Sequence, residues 1–174
     1  MADHPMQAHA PFDPTPVLRG LKDFQRATAD YVFERLYDRE DPSTRFLVAD
    51  EVGLGKTLFA RGVIAKTIQH LEQEGTKRID ILYVCSNAEI ARQNVRRLNV
   101  TGQDDFVLAE RITMLPARAK ELSRHHINFV SFTPGTSFDL KGGQGNWQER
   151  AMLRLMLEKA WGTENVSEIG RAHV

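Results

Sequence analysis

The sequence predicts an α/β fold in which a mostly parallel sheet is covered by helices on both faces. Three observations indicate this class. Apolar runs that fit buried strands alternate along the chain with segments of helical periodicity. The 174 residues are 41% hydrophobic and 26% charged, which is typical of about one globular domain. A glycine-rich turn separates the first predicted strand from the helix that follows it.

The composition excludes several classes of protein. The 23 basic and 23 acidic residues cancel, which excludes a strongly cationic nucleic-acid coat but not a local basic face. Cys85 is the single cysteine, so no intrachain disulfide or cysteine metal cluster can form. We expect His125 and His126 to be a solvated pair, because no third metal ligand is suitably spaced. Without a membrane-length apolar run or a secretory signal, the expected location is cytoplasmic, with no membrane partner.

The first half of the chain predicts a lead-in, two helices and a strand between them. Residues 1–17 contain four prolines and are expected to be a flexible lead-in. Residues 45–49 fit a short buried strand. Helices are expected from Leu21 to about residue 40 and over 58–74, with Gly75 as the stop of the second. Their predicted inner faces are Phe24, Ala27, Tyr31 and Leu36 in the first, and Ala60, Val63, Ile64, Ile68 and Leu71 in the second.

The second half predicts two further strands and two further helices. Residues 79–85 and 127–132 fit buried strands. Asn87 is the expected cap of a helix whose apolar positions are Ala91, Val95 and Leu98. Residues 99–126 are ambiguous, with hints of a strand at 107 and 112–115 and of a helix over 117–124. We expect 133–146 to be a loop and 148–161 to be a helix whose apolar face includes Met152, Leu155 and Met156.

The turn between the first strand and the second helix has the pattern of a phosphate-binding loop. Its glycines allow successive backbone N–H groups to turn toward one anion, and the following helix adds donors and positive dipole. Lys56 would reach the β- and γ-phosphates, and the Thr57 hydroxyl would ligate Mg²⁺. The strict pattern has glycine where this chain has Asp50, and the alternative is a tight glycine-rich turn. The eight residues are Asp50, Glu51, Val52, Gly53, Leu54, Gly55, Lys56 and Thr57.

This octapeptide closely resembles the nucleotide-binding motif of superfamily-two helicases. It is most similar to the Swi/Snf-type translocases and their bacterial relatives, whose loop usually has methionine where this chain has Val52. The resemblance implies that residues 18–167 are part of a RecA-like ATPase lobe that binds ATP and Mg²⁺. It also implies an ATP-dependent helicase or translocase that couples hydrolysis to movement on nucleic acid. The Swi/Snf-like loop favours DNA over RNA as the partner.

Gln25 resembles the upstream glutamine that contacts adenine in these enzymes. Its carboxamide offers both a donor and an acceptor, so it can match N7 and N6 of adenine. It precedes Lys56 by 31 positions (56 − 25). The alternative is a polar residue on an amphipathic helix.

Two further segments resemble motifs that contact the nucleic-acid backbone. Ser86 and Asn87 follow the second strand, where small polar side chains can donate to a phosphate. Thr133 and Gly135 belong to a Thr-Pro-Gly sequence similar to that of DEAD-box enzymes, although a plain turn explains it equally well. The arginines of the helix after Asn87 add positive charge, or simply form a solvated face; they are Arg92, Arg96 and Arg97.

The sequence lacks parts that ATP hydrolysis requires in this superfamily. No later apolar strand ends in the acidic pair that holds Mg²⁺ and orients water, and no second lobe with an arginine finger follows. We therefore expect enzymatic activity in a full-length protein but not in these residues alone. Residues 168–174 are expected to be non-native, because their codons can match a common sequencing adapter. Two alternatives stay open: a nucleotide-binding regulatory module without hydrolysis, and a P-loop ATPase that acts on protein complexes.

Overall fold

A computed structural model of the chain describes residues 10–49, 55–102, 107–108, 112–133 and 147–161. Helices and parallel strands alternate through these residues, so the predicted α/β class is confirmed. The strands are β1 (Ile79–Val84), β2 (Val107–Leu108) and β3 (Ile127–Phe132). The helices are α1 (Thr15–Arg19), α2 (Asp23–Tyr37), α3 (Lys56–Gln73), α4 (Ala88–Leu98), the 3-10 helix η1 (Ile112–Arg118), α5 (Ala119–Leu122) and α6 (Trp147–Trp161).

The three described strands form one parallel sheet in the order β1-β3-β2. The register places Ile79 opposite Ile127 and Val84 opposite Phe132. The central strand β3 is buried over 128–131, as expected for a strand with neighbours on both sides. The strand at 79–84 is confirmed, but its predicted burial is not: Leu82 and Val84 are about half exposed.

Helices α2 and α3 pack side by side and run in the same direction. Successive contacts advance together along both helices: Ala29 lies beside Gly62, the Asp30 carboxylate accepts from Lys66 Nζ, and Tyr37 stacks edge-on against His70. The buried residues of this contact include Leu21, Ala29 and Phe59, with Leu18, Val48, Ala60 and Val63 packed against them. This helix pair forms the part of the core that supports the start of α3.

The predicted inner faces of α2 and α3 are largely wrong. On α2 the buried residues are Gln25, Ala29 and Val32, whereas Phe24 and Tyr31 are 49% and 58% exposed. On α3 only Ile68 of the predicted face is buried. The other buried residues of this helix are Phe59, Gly62 and Ala65. Two helices in close contact select small side chains at the crossing, so the bulky aromatic residues lie outside it.

The predicted strand over 45–49 is absent. None of the described strands pairs with this segment, and its Leu47 is 86% exposed. Phe46 instead packs edge-on against Tyr31, with 5.7 Å between ring centroids. An apolar run becomes a strand only where a neighbour supplies the hydrogen-bond ladder, and that requirement is not visible in local sequence.

Several boundaries also differ from prediction. Thr15 begins a helix inside the expected lead-in, and a proline in its first turn suits helix initiation. Residues 112–118 form a 3-10 helix rather than the strand suggested at 112–115. The helix at 147–161 is confirmed, but Leu155 and Met156 of its predicted apolar face are 61% and 44% exposed. The expected loop at 134–146 and the tail at 168–174 lie outside the described residues.

The predicted ends of two helices, the cap of α4 and the stop of α3, are confirmed. Asn87 Oδ1 accepts hydrogen bonds from the backbone N–H groups of Glu89 and Ile90, and so caps α4 as expected. Gly75 ends α3 with a positive φ of 76°, and Thr76 N–H donates to Leu71 O. The buried face of α4 is the predicted one, namely Ala91, Val95 and Leu98.

Candidate functional site

The start of α3 has the backbone geometry of an anion-binding helix terminus. Gly55 adopts a left-handed conformation with φ 81° and ψ 43°, and no capping hydrogen bond from a side chain is found among the described residues. The first helical hydrogen bonds run from the N–H groups of Leu58 and Phe59 to Gly55 O, at 2.7 and 3.3 Å. A helix leaves its earlier N–H groups without intrahelical acceptors, and its dipole makes this end positive. These groups can therefore donate to an anion that binds at the N-terminal end of α3.

The predicted phosphate loop is described only at its end. Gly55, Lys56 and Thr57 belong to the described residues, with Lys56 exposed and Thr57 half-buried. The predicted ligands over 50–54, which are Asp50, Glu51, Val52, Gly53 and Leu54, lie outside the described residues and stay predictions. What the structure adds is the turn into the helix and the surroundings of Gly55.

Gln25 packs directly against this turn. A Cβ atom placed on Gly55 would lie 2.5 Å from Gln25 Nε2, so the glycine is needed to leave room for the carboxamide as well as for its positive φ. The Gln25 side chain is fixed from the other side, because its Oε1 accepts from Lys22 N–H at 3.1 Å. The residue is 4% exposed. Two predicted nucleotide-binding elements that are distant in sequence are therefore in contact, a relation that sequence spacing could not reveal.

Thr57 fits a magnesium ligand of the kind that phosphate loops use. Its hydroxyl lies one residue beyond Lys56 in the first turn of α3. Within the described ranges there is no group of three or more His, Cys, Asp or Glu side chains that could hold a metal ion. A single hydroxyl matches Mg²⁺, which is commonly bound through few protein ligands together with phosphates and water.

The predicted nucleic-acid contacts lie at one edge of the sheet, but two of them have structural roles. Because Val84 and Phe132 are opposite each other in parallel strands, Ser86, Asn87 and Thr133 all follow strands at the same edge. Asn87 uses its side-chain oxygen as a helix cap, and Thr133 is only 6% exposed. Ser86 is exposed, whereas Gly135 lies outside the described residues.

The helix after Asn87 presents the predicted basic residues to solvent. All three arginines of α4 are exposed, and Arg92 pairs with Glu89 at 2.6 Å. Behind them, burial raises the pKa of the Tyr83 hydroxyl, which accepts a hydrogen bond from Asn94 Nδ2 at 2.8 Å. Cys85 is half-buried beside this tyrosine. The Tyr83–Asn94 bond joins α4 to β1, so the helix is held against the sheet while its arginines face solvent.

The end of α3 holds a polar cluster that sequence reasoning missed. Glu72 Oε2 accepts from Phe12 N–H at 2.8 Å, and Glu72 Oε1 lies 3.1 Å from His126 Nε2. His126 Nδ1 donates to Lys77 O at 2.7 Å, since a carbonyl oxygen can only accept. The expected solvated histidine pair is thus wrong for His126, whose side chain is 13% exposed. A cavity of about 430 Å³ adjoins this cluster.

Comparison with protein-family models, curated proteins and solved structures found no match for this chain. Among the described residues, none of the helices combines the length and apolarity that crossing a bilayer demands. The function is therefore inferred from the chain's own residues and their geometry.

Proposed function

We propose that this chain binds ATP at the start of α3 and is the nucleotide-binding part of an ATP-dependent helicase or DNA translocase. The observation that carries the proposal is the contact between Gln25 and Gly55. A glycine-rich turn alone is compatible with any tight helix start. A buried carboxamide fixed beside that turn adds a group suited to recognising a base at the place where the phosphates would bind.

In this proposal the phosphates lie at the N-terminal end of α3. The backbone N–H groups of its first turn and the positive end of its dipole attract the β- and γ-phosphates. The exposed Lys56 side chain supplies a mobile positive charge to the same oxygens. Mg²⁺, held through Thr57 and the phosphates, would reduce the charge of the triphosphate. Hydrolysis further requires an acidic pair at the end of a later strand, and no apolar run after the octapeptide is followed directly by Asp-Glu.

Gln25 gives the proposed site a preference for adenine. Its Oε1 accepts one hydrogen bond from Lys22 N–H, and a carbonyl oxygen has a second lone pair for the N6 amino group. Its Nε2 can donate to N7. Guanine has an acceptor, O6, in place of the amino group, so it cannot satisfy the same carboxamide orientation.

The proposed role on nucleic acid rests on the helicase-like octapeptide, and the sheet edge with Ser86 is its proposed contact. The exposed arginines of α4 lie on the helix that starts at this edge, and they would add attraction for phosphates there. Movement along DNA would need further parts of the ATPase, so the contribution proposed for these residues is binding of ATP and of the strand backbone.

Replacement of Gln25 tests the observation that carries the proposal. Gln25→Ala should lower the ratio of ATP to GTP affinity by about tenfold, since one to two base hydrogen bonds are lost. The measurement is a titration of the 174-residue chain with fluorescent ATP and GTP analogues in Mg²⁺, with thermal unfolding as a check on folding. Gln93→Ala, at an exposed position of α4, is the matched control.

An unchanged nucleotide preference in Gln25→Ala would return Gln25 to a purely structural role at the start of α2. Absence of saturable binding of either nucleotide by the unmodified chain would contradict the proposed site as a whole.

A further inference from the structure

Helices α2 and α3 approach each other closely at Gly62, a buried residue that is not expected to touch the nucleotide itself. A Cβ atom on Gly62 would be 3.0 Å from Ala29 Cβ and 2.7 Å from Leu21 Cδ1. Carbon atoms in ordinary contact are about 3.5–4.0 Å apart. Gly62 is buried and Ala29 is 0% exposed, so the two backbones meet here with almost no side chain between them.

This contact is close to the base-recognition side of the proposed site. Ala29 follows Gln25 by four positions (29 − 25), one turn along the same face of α2, and Gly62 lies on the helix that Gly55 begins. Gln25 is fixed to α2 through Lys22, so its carboxamide moves with that helix. Its separation from Gly55 therefore depends on how closely α2 approaches α3.

We propose that Gly62 is a positioning residue: the absence of a side chain there sets the distance between α2 and α3 that places the Gln25 carboxamide against Gly55. Helix propensity alone argues against a glycine in mid-helix, where alanine is favoured. If glycine is required at this position for packing, Gly62→Ala should displace α2 from α3 and should not stabilise the chain as helix propensity alone would predict. The nucleotide part of this inference rests on the proposed function.

The test moves one methyl group across the interface, from Ala29 on α2 to Gly62 on α3. Gly62→Ala pushes the helices apart, because the Ala29 Cβ cannot rotate away, whereas the Leu21 methyl can. Gly62→Ala combined with Ala29→Gly restores the space and leaves the sum of helix propensities unchanged, since the two residues simply change places. Gly20→Ala, where the nearest neighbour is an ordinary contact at 3.4 Å, is the matched control.

Two measurements on the 174-residue chain report the outcome. The first is the nuclear Overhauser contact between the Gln25 side-chain amide and the Gly55 Hα, which needs no nucleotide. The second is the ratio of ATP to GTP affinity. We expect Gly62→Ala to weaken the contact and to lower the ratio by up to about tenfold, as for loss of a base hydrogen bond, and the exchange variant to recover both.

An unchanged intensity of the contact together with an unchanged ratio in Gly62→Ala would overturn the inference. So would an exchange variant that fails to recover them, because the effect would then not come from spacing. If Gly62→Ala alone does not fold, the exchange variant must fold and show the contact, and its failure overturns the inference equally. If the unmodified chain binds no nucleotide, the proposed function fails, and the Overhauser contact still decides whether Gly62 positions Gln25.

Discussion

The two ends of α3 are built in opposite ways. At its start, Gly55 has no side chain to cap the helix, and the exposed Lys56 is the first helical residue. At its end, about 27 Å away by helix geometry, the backbone turns back through Gly75, and the Glu72 carboxylate contacts both Phe12 N–H and His126. Polar groups at the end are used to hold the fold together, whereas the start directs backbone donors outward.

The difference between the two ends indicates which end of α3 is suited to binding a ligand. The Glu72 carboxylate joins three parts of the chain: the segment before α1, α3 itself and the residue before β3. That anchoring makes α3 a fixed support. A fixed helix can hold donors at its other end in place without a capping side chain, which is the arrangement expected of a site that binds an anion.

The largest expected effect is that of Lys56→Ala. We expect loss of about 100-fold in affinity for Mg-ATP, because a charge-assisted contact to phosphate contributes about 1.5–3 kcal/mol. Lys77→Ala, at the opposite end of the helix, is the control and should leave affinity unchanged. Titration with a fluorescent ATP analogue measures both, and equal affinities in the two variants would remove the distinction between the ends of α3.

The next largest effect is on stability and belongs to the other end. Glu72→Ala should lower the free energy of unfolding by about 2–3 kcal/mol, because it removes two hydrogen bonds and leaves half-buried partners. The control is Glu74→Ala, whose carboxylate is 60% exposed beside His70 and should cost under about 1 kcal/mol. Urea unfolding gives the difference. A Glu72→Ala chain as stable as Glu74→Ala would mean that the cluster does not anchor α3.

A smaller effect is expected to distinguish alanine substitutions at Gly55 and Gly75, the glycines of positive φ at the two ends of α3. Alanine at either position is strained by about 1–2 kcal/mol, as φ is 81° at Gly55 and 76° at Gly75. Only Gly55→Ala also collides with Gln25, since nothing lies within 4 Å of a Cβ on Gly75. We expect both variants to lose stability, Gly55→Ala somewhat more because of the collision, and ATP binding to weaken in Gly55→Ala alone. Equal ATP affinity in both would show that the Gln25 contact is irrelevant to binding.

How much could be predicted depended on whether the relevant chemistry was local. The Asn87 cap and the Gly75 stop were predictable, because a side chain or a backbone conformation a few residues away determines each. The absence of the predicted strand at 45–49 could not be foreseen, since strand formation depends on a pairing partner that local sequence does not specify. The burial of Gln25 was also missed, as apolar periodicity assigned the larger Phe24 to the interior.

The candidate site shows the same division. The residues at the start of α3 followed from the octapeptide, and the structure agrees that a left-handed glycine precedes a helix there. The contact of Gln25 with Gly55, the packing of Gly62 against Ala29 and the Glu72–His126 pair join residues that are far apart in sequence. Periodicity signals none of these pairs. The family resemblance assigned Gln25 and the loop to one nucleotide site, but it did not predict their direct contact.

The last prediction is that these residues alone do not hydrolyse ATP. The 174-residue chain should bind Mg-ATP without releasing phosphate. No apolar run after the octapeptide is followed by an Asp-Glu pair that could orient water, and we expect these residues to lack an arginine finger. An arginine finger alone contributes about 10³–10⁵ in rate in related phosphoryl-transfer enzymes. Steady-state phosphate release that disappears in Lys56→Ala would contradict this, and it would assign the missing role to a carboxylate such as Glu51 or Asp104.

The most direct test of nucleotide binding at the start of α3 is a titration of the isotopically labelled chain with Mg-ATP, followed by amide resonances in ¹H–¹⁵N spectra. We expect saturable shifts for the backbone amides of Lys56 and Thr57 and for the Gln25 side chain, with Thr76 and Lys77 at the other end of α3 unmoved. Shifts confined to Thr76 and Lys77, or no saturable shift at all, would contradict the central claim that the start of α3 binds the nucleotide.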